Sequence, residues 1–216
     1  MVILSDLSEV LINGVEEVGR AVANEYGIEV GKKCFDRLDE TKAEFNDLMR
    51  GYITENEYFK IFLSGSEWPF QTEDLQQIFS EEFEKEIPGT FDVYRRIIAY
   101  PRSTELNGKN HGKPPIYIVS DHIAERRDEI MGYHKELFSM TKDQIWSFDV
   151  GKIKSDPGFF KELLDRLAVR PDEAVFIDDY NRNIFAASAV GITSILFENA
   201  TQLEDDLTDL GFEFSE

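Results

Sequence analysis

A chain of 216 residues, 42% of them hydrophobic, is long enough to bury one α/β core with an inserted lobe. Its formal charge of -20, with no cluster of Lys and Arg, argues against recognition of bare nucleic acid or an anionic membrane surface, both of which demand dense cationic patches. No apolar stretch is long enough to span a bilayer, the first apolar run is broken by charge too early for a signal peptide, and the lone Cys34 cannot form an internal disulfide, so a cytoplasmic protein is expected.

The first element is the unbroken apolar run Val2-Ile3-Leu4, the signature of a strand buried on both faces. From about Val15 to about Phe83 only helical periodicity follows, with Thr41, Thr54 and Thr72, each trailed by acidic residues, as helix starts. Pro88-Gly89-Thr90 then leads into a helix predicted over Phe91 to Tyr100, and the polar, aperiodic stretch from Ser103 to Pro115 reads as a loop. Ile116-Tyr117-Ile118-Val119 is a second buried strand. Pro157 to Leu167 carries Phe159, Phe160, Leu163, Leu164 and Leu167 on one helical stripe. Ala174-Val175-Phe176-Ile177 and Ser194-Ile195-Leu196-Phe197 are further strands, separated by a helix from Asn183 to Val190 that stops before Gly191. Alternating strand and helix predicts a doubly wound, Rossmann-like α/β core with a parallel sheet, formed by residues 1–14 and 84–216 and interrupted by an all-helical cap at 15–83.

The acidic residues sit where such a sheet binds ligands. Asp6 follows the first strand, Ser120 and Asp121 the second, and Asp178-Asp179 another, all at carboxyl ends that converge on one crevice. Carboxylates forced together there require a hard cation, and a nearby Ser and Lys suit a phosphoryl group, so the pattern points to Mg²⁺ and phosphate.

These residues resemble the haloacid dehalogenase superfamily over nearly the whole chain. Val2 to Val10 is similar to the family's first strand and nucleophile loop, and Ile118-Val119-Ser120 to its second motif. Phe148 to Pro157 is similar to the segment that supplies a lysine, here Lys154, and Val175-Phe176-Ile177-Asp178-Asp179 to the acidic fourth motif. Gly51 to Phe59 is similar to a stretch in the caps of sugar-phosphatase-like and epoxide-hydrolase-like members. The resemblance implies hydrolysis of a small phosphorylated metabolite through an aspartyl-phosphate on Asp6. Mg²⁺ would be held by Asp6, the Ser8 carbonyl and Asp179 with help from Asp178, while Ser120 and Lys154 would hold the transferring oxygens.

Two positions depart from that pattern. Ser8 stands where most of the family's phosphatases have a second Asp as general acid and base, a loss that typically costs ~10²–10⁴ in rate. Asp121 follows the motif Ser where many relatives have Asn, and an anion there must be protonated, turned away or paired. His122 is a candidate for the missing proton donor, although a structural histidine is the plainer reading; Glu9 is one residue off the alternation that would aim it at the crevice. Two other readings stay open: a family member that binds without turnover, and a hydrolase whose Asp6 attacks carbon, for which a dense metal site is superfluous.

Overall fold

The structure, a computed structural model, describes residues 1–39, 41–65, 67–99 and 113–215. Five strands form one sheet: β1 (Val2–Ser5), β2 (Ile116–Ser120), β3 (Asp143–Trp146), β4 (Ala174–Asp178) and β5 (Thr193–Leu196), in the order β3-β2-β1-β4-β5. Every pairing is parallel, as the unbroken apolar runs predict. Successive residues alternate between two packing clusters, with Ile3, Ile118, Val175 and Ile177 on one face and Leu4, Tyr117, Val119 and Phe176 on the other. The edge strand β3 was not predicted: Asp143-Gln144-Ile145-Trp146 is half polar, because its first two residues remain partly in solvent.

Five helices follow β1: α1 (Val15–Tyr26), α2 (Ile28–Arg37), α3 (Ala43–Met49), α4 (Glu55–Leu63) and α5 (Thr72–Phe83). Thr54 caps α4 as expected, in a reciprocal box with Glu57. Thr41 does not start α3, whose cap position is Lys42; the Thr41 N–H instead donates to the side chain of Asp39. Thr72 lies inside the first turn of α5, one residue after its cap, Gln71. α1 and α2 cross so closely that a Cβ on Gly31 would lie 2.3 Å from that of Ala23, which explains glycine there. An aromatic chain running from Phe45 through Tyr58, Phe59 and Phe79 to Phe83 fills this lobe and joins one core face. Each such fully buried ring is worth ~1.5–3 kcal/mol.

The two connections to this lobe are bonded to each other. Asn13 N–H donates to the Lys85 carbonyl and Ile87 N–H to that of Leu11, each at 2.8 Å, around an antiparallel bridge between Ile12 and Glu86. The chain then returns to the core as α6 (Thr90–Ala99). The expected loop from Ser103 to Pro115 lies mostly outside the described residues. The remaining helices, α7 (Arg127–Tyr133), α8 (Lys135–Met140), α9 (Ser147–Val150), α10 (Phe159–Leu167), α11 (Asn181–Ser188) and α12 (Ala200–Asp209), connect or follow the later strands. No helix among the described residues is long and apolar enough to cross a membrane.

Candidate active site

Because β1, β2 and β4 are parallel neighbours, their last residues and the turns after them meet at one end of the sheet. A cleft of about 840 Å³, counting its open mouth, lies there and reaches to α1, α2 and α3; Asp6, Ser8, Asp121, Lys154 and Asp179 all border it. Asp6 is tightly positioned. Its backbone N–H donates to the Ile177 carbonyl at 2.8 Å, and its Oδ1 accepts from the Leu7 N–H at 2.7 Å. Its own carbonyl accepts from Ser5 Oγ, which in turn accepts from the Tyr94 hydroxyl, both at 2.7 Å.

One carboxylate oxygen from each of Asp6, Asp178 and Asp179 falls within 4.8 Å of the others. The buried Lys154 ammonium stands among them, 2.5 Å from Asp6 Oδ2 and 2.7 Å from Asp178 Oδ2. Asp178 is fully enclosed and otherwise satisfied by the Tyr180 N–H and the Asn183 amide. Burial drives the Asp6 carboxyl well above the ordinary carboxylate range, with the Lys154 charge opposing it and the charges of Asp178 and Asp179 adding to the rise. Burial, with the adjacent charge of Asp178, pushes Asp179 up to about 7. Lys154 is held charged: its surrounding carboxylates outweigh the desolvation of its ammonium. One cation against three acids leaves the cluster short of positive charge, and its all-oxygen donor set fits a hard dication such as Mg²⁺.

Ser120 Oγ, at the end of β2, is buried with no hydrogen-bond partner among the described residues, a donor left unused by the protein. Asp121 is not a bare anion: both its oxygens accept from the Lys154 backbone N–H at 3.1 Å, so it positions the lysine's peptide. Ser8 lies in a turn closed by the Glu9 N–H to the Ile12 carbonyl. Glu9 adopts φ 57°, and its Oε1 accepts from the Gly14 and Glu16 N–H groups, capping α1. Burial nevertheless raises this carboxyl to about 7.

His122 is 3% exposed, edge-on to Phe83 and Trp146, and burial lowers it to about 3. It is therefore neutral at physiological pH and is no imidazolium acid, which removes it as a direct replacement for the missing proton donor. Its Nδ1 accepts from the Ile123 N–H at 2.8 Å, so the ring proton is on Nε2, which is buried and without a partner among the described residues.

A second set of contacts joins the helical lobe to the loops after β2 and β3. Arg50, after α3, binds Asp156 through two bonds, Nε at 2.8 Å and a terminal nitrogen at 2.5 Å. Asp156 Oδ2 also accepts from the Ile153 N–H, one residue before Lys154. Gly51, at φ +72°, sits so close to Phe148 that a Cβ would come within 2.9 Å of that residue's own, and Tyr52 donates to the Gly151 carbonyl. Arg126 pairs with Glu55 at 2.5 Å, and the Glu55 N–H donates to Glu125. These residues lie far apart in sequence and carry no local pattern.

A family model described as haloacid dehalogenase-like hydrolase matches residues 1–191. Flavin mononucleotide hydrolase 1, chloroplastic, of Arabidopsis thaliana is 29% identical over 153 residues, which are 62% of this chain and 62% of that protein. Bifunctional epoxide hydrolase 2 of Mus musculus is 33% identical over 94 residues, covering 43% of this chain and 17% of its own length. The chain thus spans less than two thirds of either relative. A family enzyme from Bacteroides thetaiotaomicron, solved with magnesium and inorganic phosphate, superposes with a TM-score of 0.62 at 17% identity, over 91% of this chain and 93% of that one.

Proposed function

The chain belongs to the haloacid dehalogenase-like hydrolases, and on that premise we propose that it is a Mg²⁺-dependent phosphatase of small phosphorylated metabolites acting through Asp6. The observation that carries this reading is the convergence of the Asp6, Asp178 and Asp179 carboxylates with the Lys154 ammonium. The magnesium-bound and phosphate-bound relative with the same fold supports the choice of ion. The Arabidopsis flavin mononucleotide hydrolase supports a phosphate ester as substrate. The helical lobe at 15–83 serves as the cap over the cleft.

When bound, Mg²⁺ supplies positive charge to the phosphoryl oxygens and to the carboxylates. Asp6, Asp179 and the Ser8 carbonyl would hold it, while Asp178 anchors Lys154. Lys154 and Ser120 Oγ orient the phosphoryl oxygens. An ionised Asp6 oxygen attacks phosphorus as the bond to the leaving oxygen breaks, that oxygen keeping the electron pair; water then releases phosphate and returns the carboxylate. With Ser8 in place of an acid and His122 neutral, the leaving oxygen takes its proton from solvent. Esters of acidic alcohols are therefore cleaved fastest.

The test is incubation with Mg²⁺ and 4-nitrophenyl phosphate, whose leaving group barely needs an acid, following nitrophenolate together with phosphate retained on the protein. Release that depends on Mg²⁺ and vanishes in Asp6→Asn supports the reading, and a burst before slow turnover places the defect at Ser8. Ser8 itself favours a second reading, binding without turnover, which is what tight Mg²⁺ and phosphate binding with neither burst nor turnover would establish.

A further inference from the structure

Away from the carboxylates the cleft wall is largely apolar, built by Phe35, Leu38, Phe45, Met49 and Phe83 from the helical lobe together with Ile123. The charged residues that border it outside the Asp6 cluster are Glu9, Glu16, Asp39 and Asp121. Among the described lining residues Lys154 is the one Lys or Arg, and it is committed to Asp6 and Asp178. A substrate with a second anionic group would bring it against acids with no lining cation to receive it, and its desolvation would go uncompensated. A neutral, apolar body is instead complementary to the six hydrophobic side chains.

A buried polar group lies behind that apolar wall. His122 borders the cleft, its Nδ1 is consumed by the Ile123 N–H, and its Nε2–H is a buried donor without an acceptor among the described residues. Buried donors in native proteins are satisfied, and where the protein supplies no acceptor a ligand can. Resting on the phosphatase reading, we infer that the substrate is a phosphate monoester whose leaving group is uncharged and largely apolar and carries an acceptor oxygen or nitrogen that receives the His122 Nε2–H. His122 is then a specificity-determining residue. Its low basicity supports this role, because a ring that stays neutral remains a fixed donor across the physiological range.

Three aryl esters separate the terms: phenyl phosphate, 4-acetylphenyl phosphate with a neutral acceptor, and 4-carboxyphenyl phosphate with an extra anion. Steady-state kinetics and calorimetric binding to the Mg²⁺ form of the full chain are measured for each. The expected order is acetyl, then phenyl, then carboxyl, with the acetyl ester at least about 10-fold tighter than the carboxyl ester. His122→Phe, which keeps the ring packing and removes the donor, weakens the acetyl ester about 10-fold more than it weakens phenyl phosphate; His122→Gln restores part of the difference. Equal or tighter binding of the carboxyl ester overturns the inference, as does a His122→Phe effect of the same size on phenyl phosphate. The expected binding order without turnover counts against the phosphatase reading alone and leaves this inference standing.

Discussion

Replacing Lys154 by Met removes the one cation that the structure places between two buried carboxylates. The ammonium is 2% exposed and lies 2.5 Å from Asp6 and 2.7 Å from Asp178, so methionine fills much of the volume but leaves both acids without a counter-charge. Breaking a buried ion pair from one side costs about 3–5 kcal/mol. The acids can escape by taking up protons, and that sets the pH dependence. Asp6 is already raised well above its ordinary value, and in the variant its folded-state pKa rises further. A carboxyl with a raised folded pKa is least costly below its unfolded value of about 3.9, and its burden grows as pH rises through the folded value. The deficit against wild type is therefore small in acid and grows toward pH 8. For a chain of this length about 3–5 kcal/mol corresponds to a fall in Tm of roughly 6–20 °C. Urea denaturation and calorimetry of the metal-free proteins at pH 5 and pH 8 measure it, and added Mg²⁺ narrows the gap at pH 8. A deficit below about 1 kcal/mol at pH 8, or one equal at both pH values, would refute the account of Lys154 as the neutralising centre of the cluster.

Mg²⁺ affinity itself should depend on pH, because Asp179, raised to about 7, must lose its proton to bind: isothermal titration should show affinity rising up to tenfold per pH unit below about 7, flattening above, with proton release in the acid range. Asp179→Asn should reduce that dependence to the part set by the raised Asp6 carboxyl, weaken Mg²⁺ binding, and raise metal-free stability by removing one of the crowded acids. Arg50→Ala leaves Asp156 with one of its partners and should cost about 1 kcal/mol, discounted for its partial exposure, while lowering turnover through looser placement of Lys154; a variant with unchanged kcat would exclude the coupling. Gly51→Ala faces both a φ of +72° and the Phe148 side chain, so a loss of about 1–3 kcal/mol is expected, read from chemical denaturation.

The parallel core was legible because strands buried on both faces have no polar residue to interrupt them, as Ile116 to Val119 and Ala174 to Ile177 show. The same rule hid β3, whose edge position tolerates Asp143 and Gln144. Asp6, Ser120 and Asp178-Asp179 were found from position alone, since each follows or ends an apolar run and parallel strands finish at a common edge. What sequence could not convey was which way each carboxylate turns. Asp121, which looked like an anion beside phosphate, is spent on the Lys154 peptide, and Glu9 caps α1 from a left-handed conformation for which glutamate gives no signal. His122 looked like a proton donor on its intrinsic basicity; only its enclosure by Phe83 and Trp146 shows that it stays neutral. The Arg50 and Asp156 pair spans 106 positions, and no periodicity reaches that far.

The hydrogen bonds that tie Asn13 to Lys85 and Ile87 to Leu11 have a mechanical consequence. Two independent tethers would let a lobe twist, slide and tilt at once, whereas tethers laced edge to edge form a strap, which bends easily across its flat side and resists shear within its plane. A swing of the helical lobe would thereby be confined to a single soft direction, like a door on one leaf of metal. Its return would bring Arg50 back to Asp156 and Gly51 back to Phe148 along the same arc, so that the strap would set the registry of the clasp.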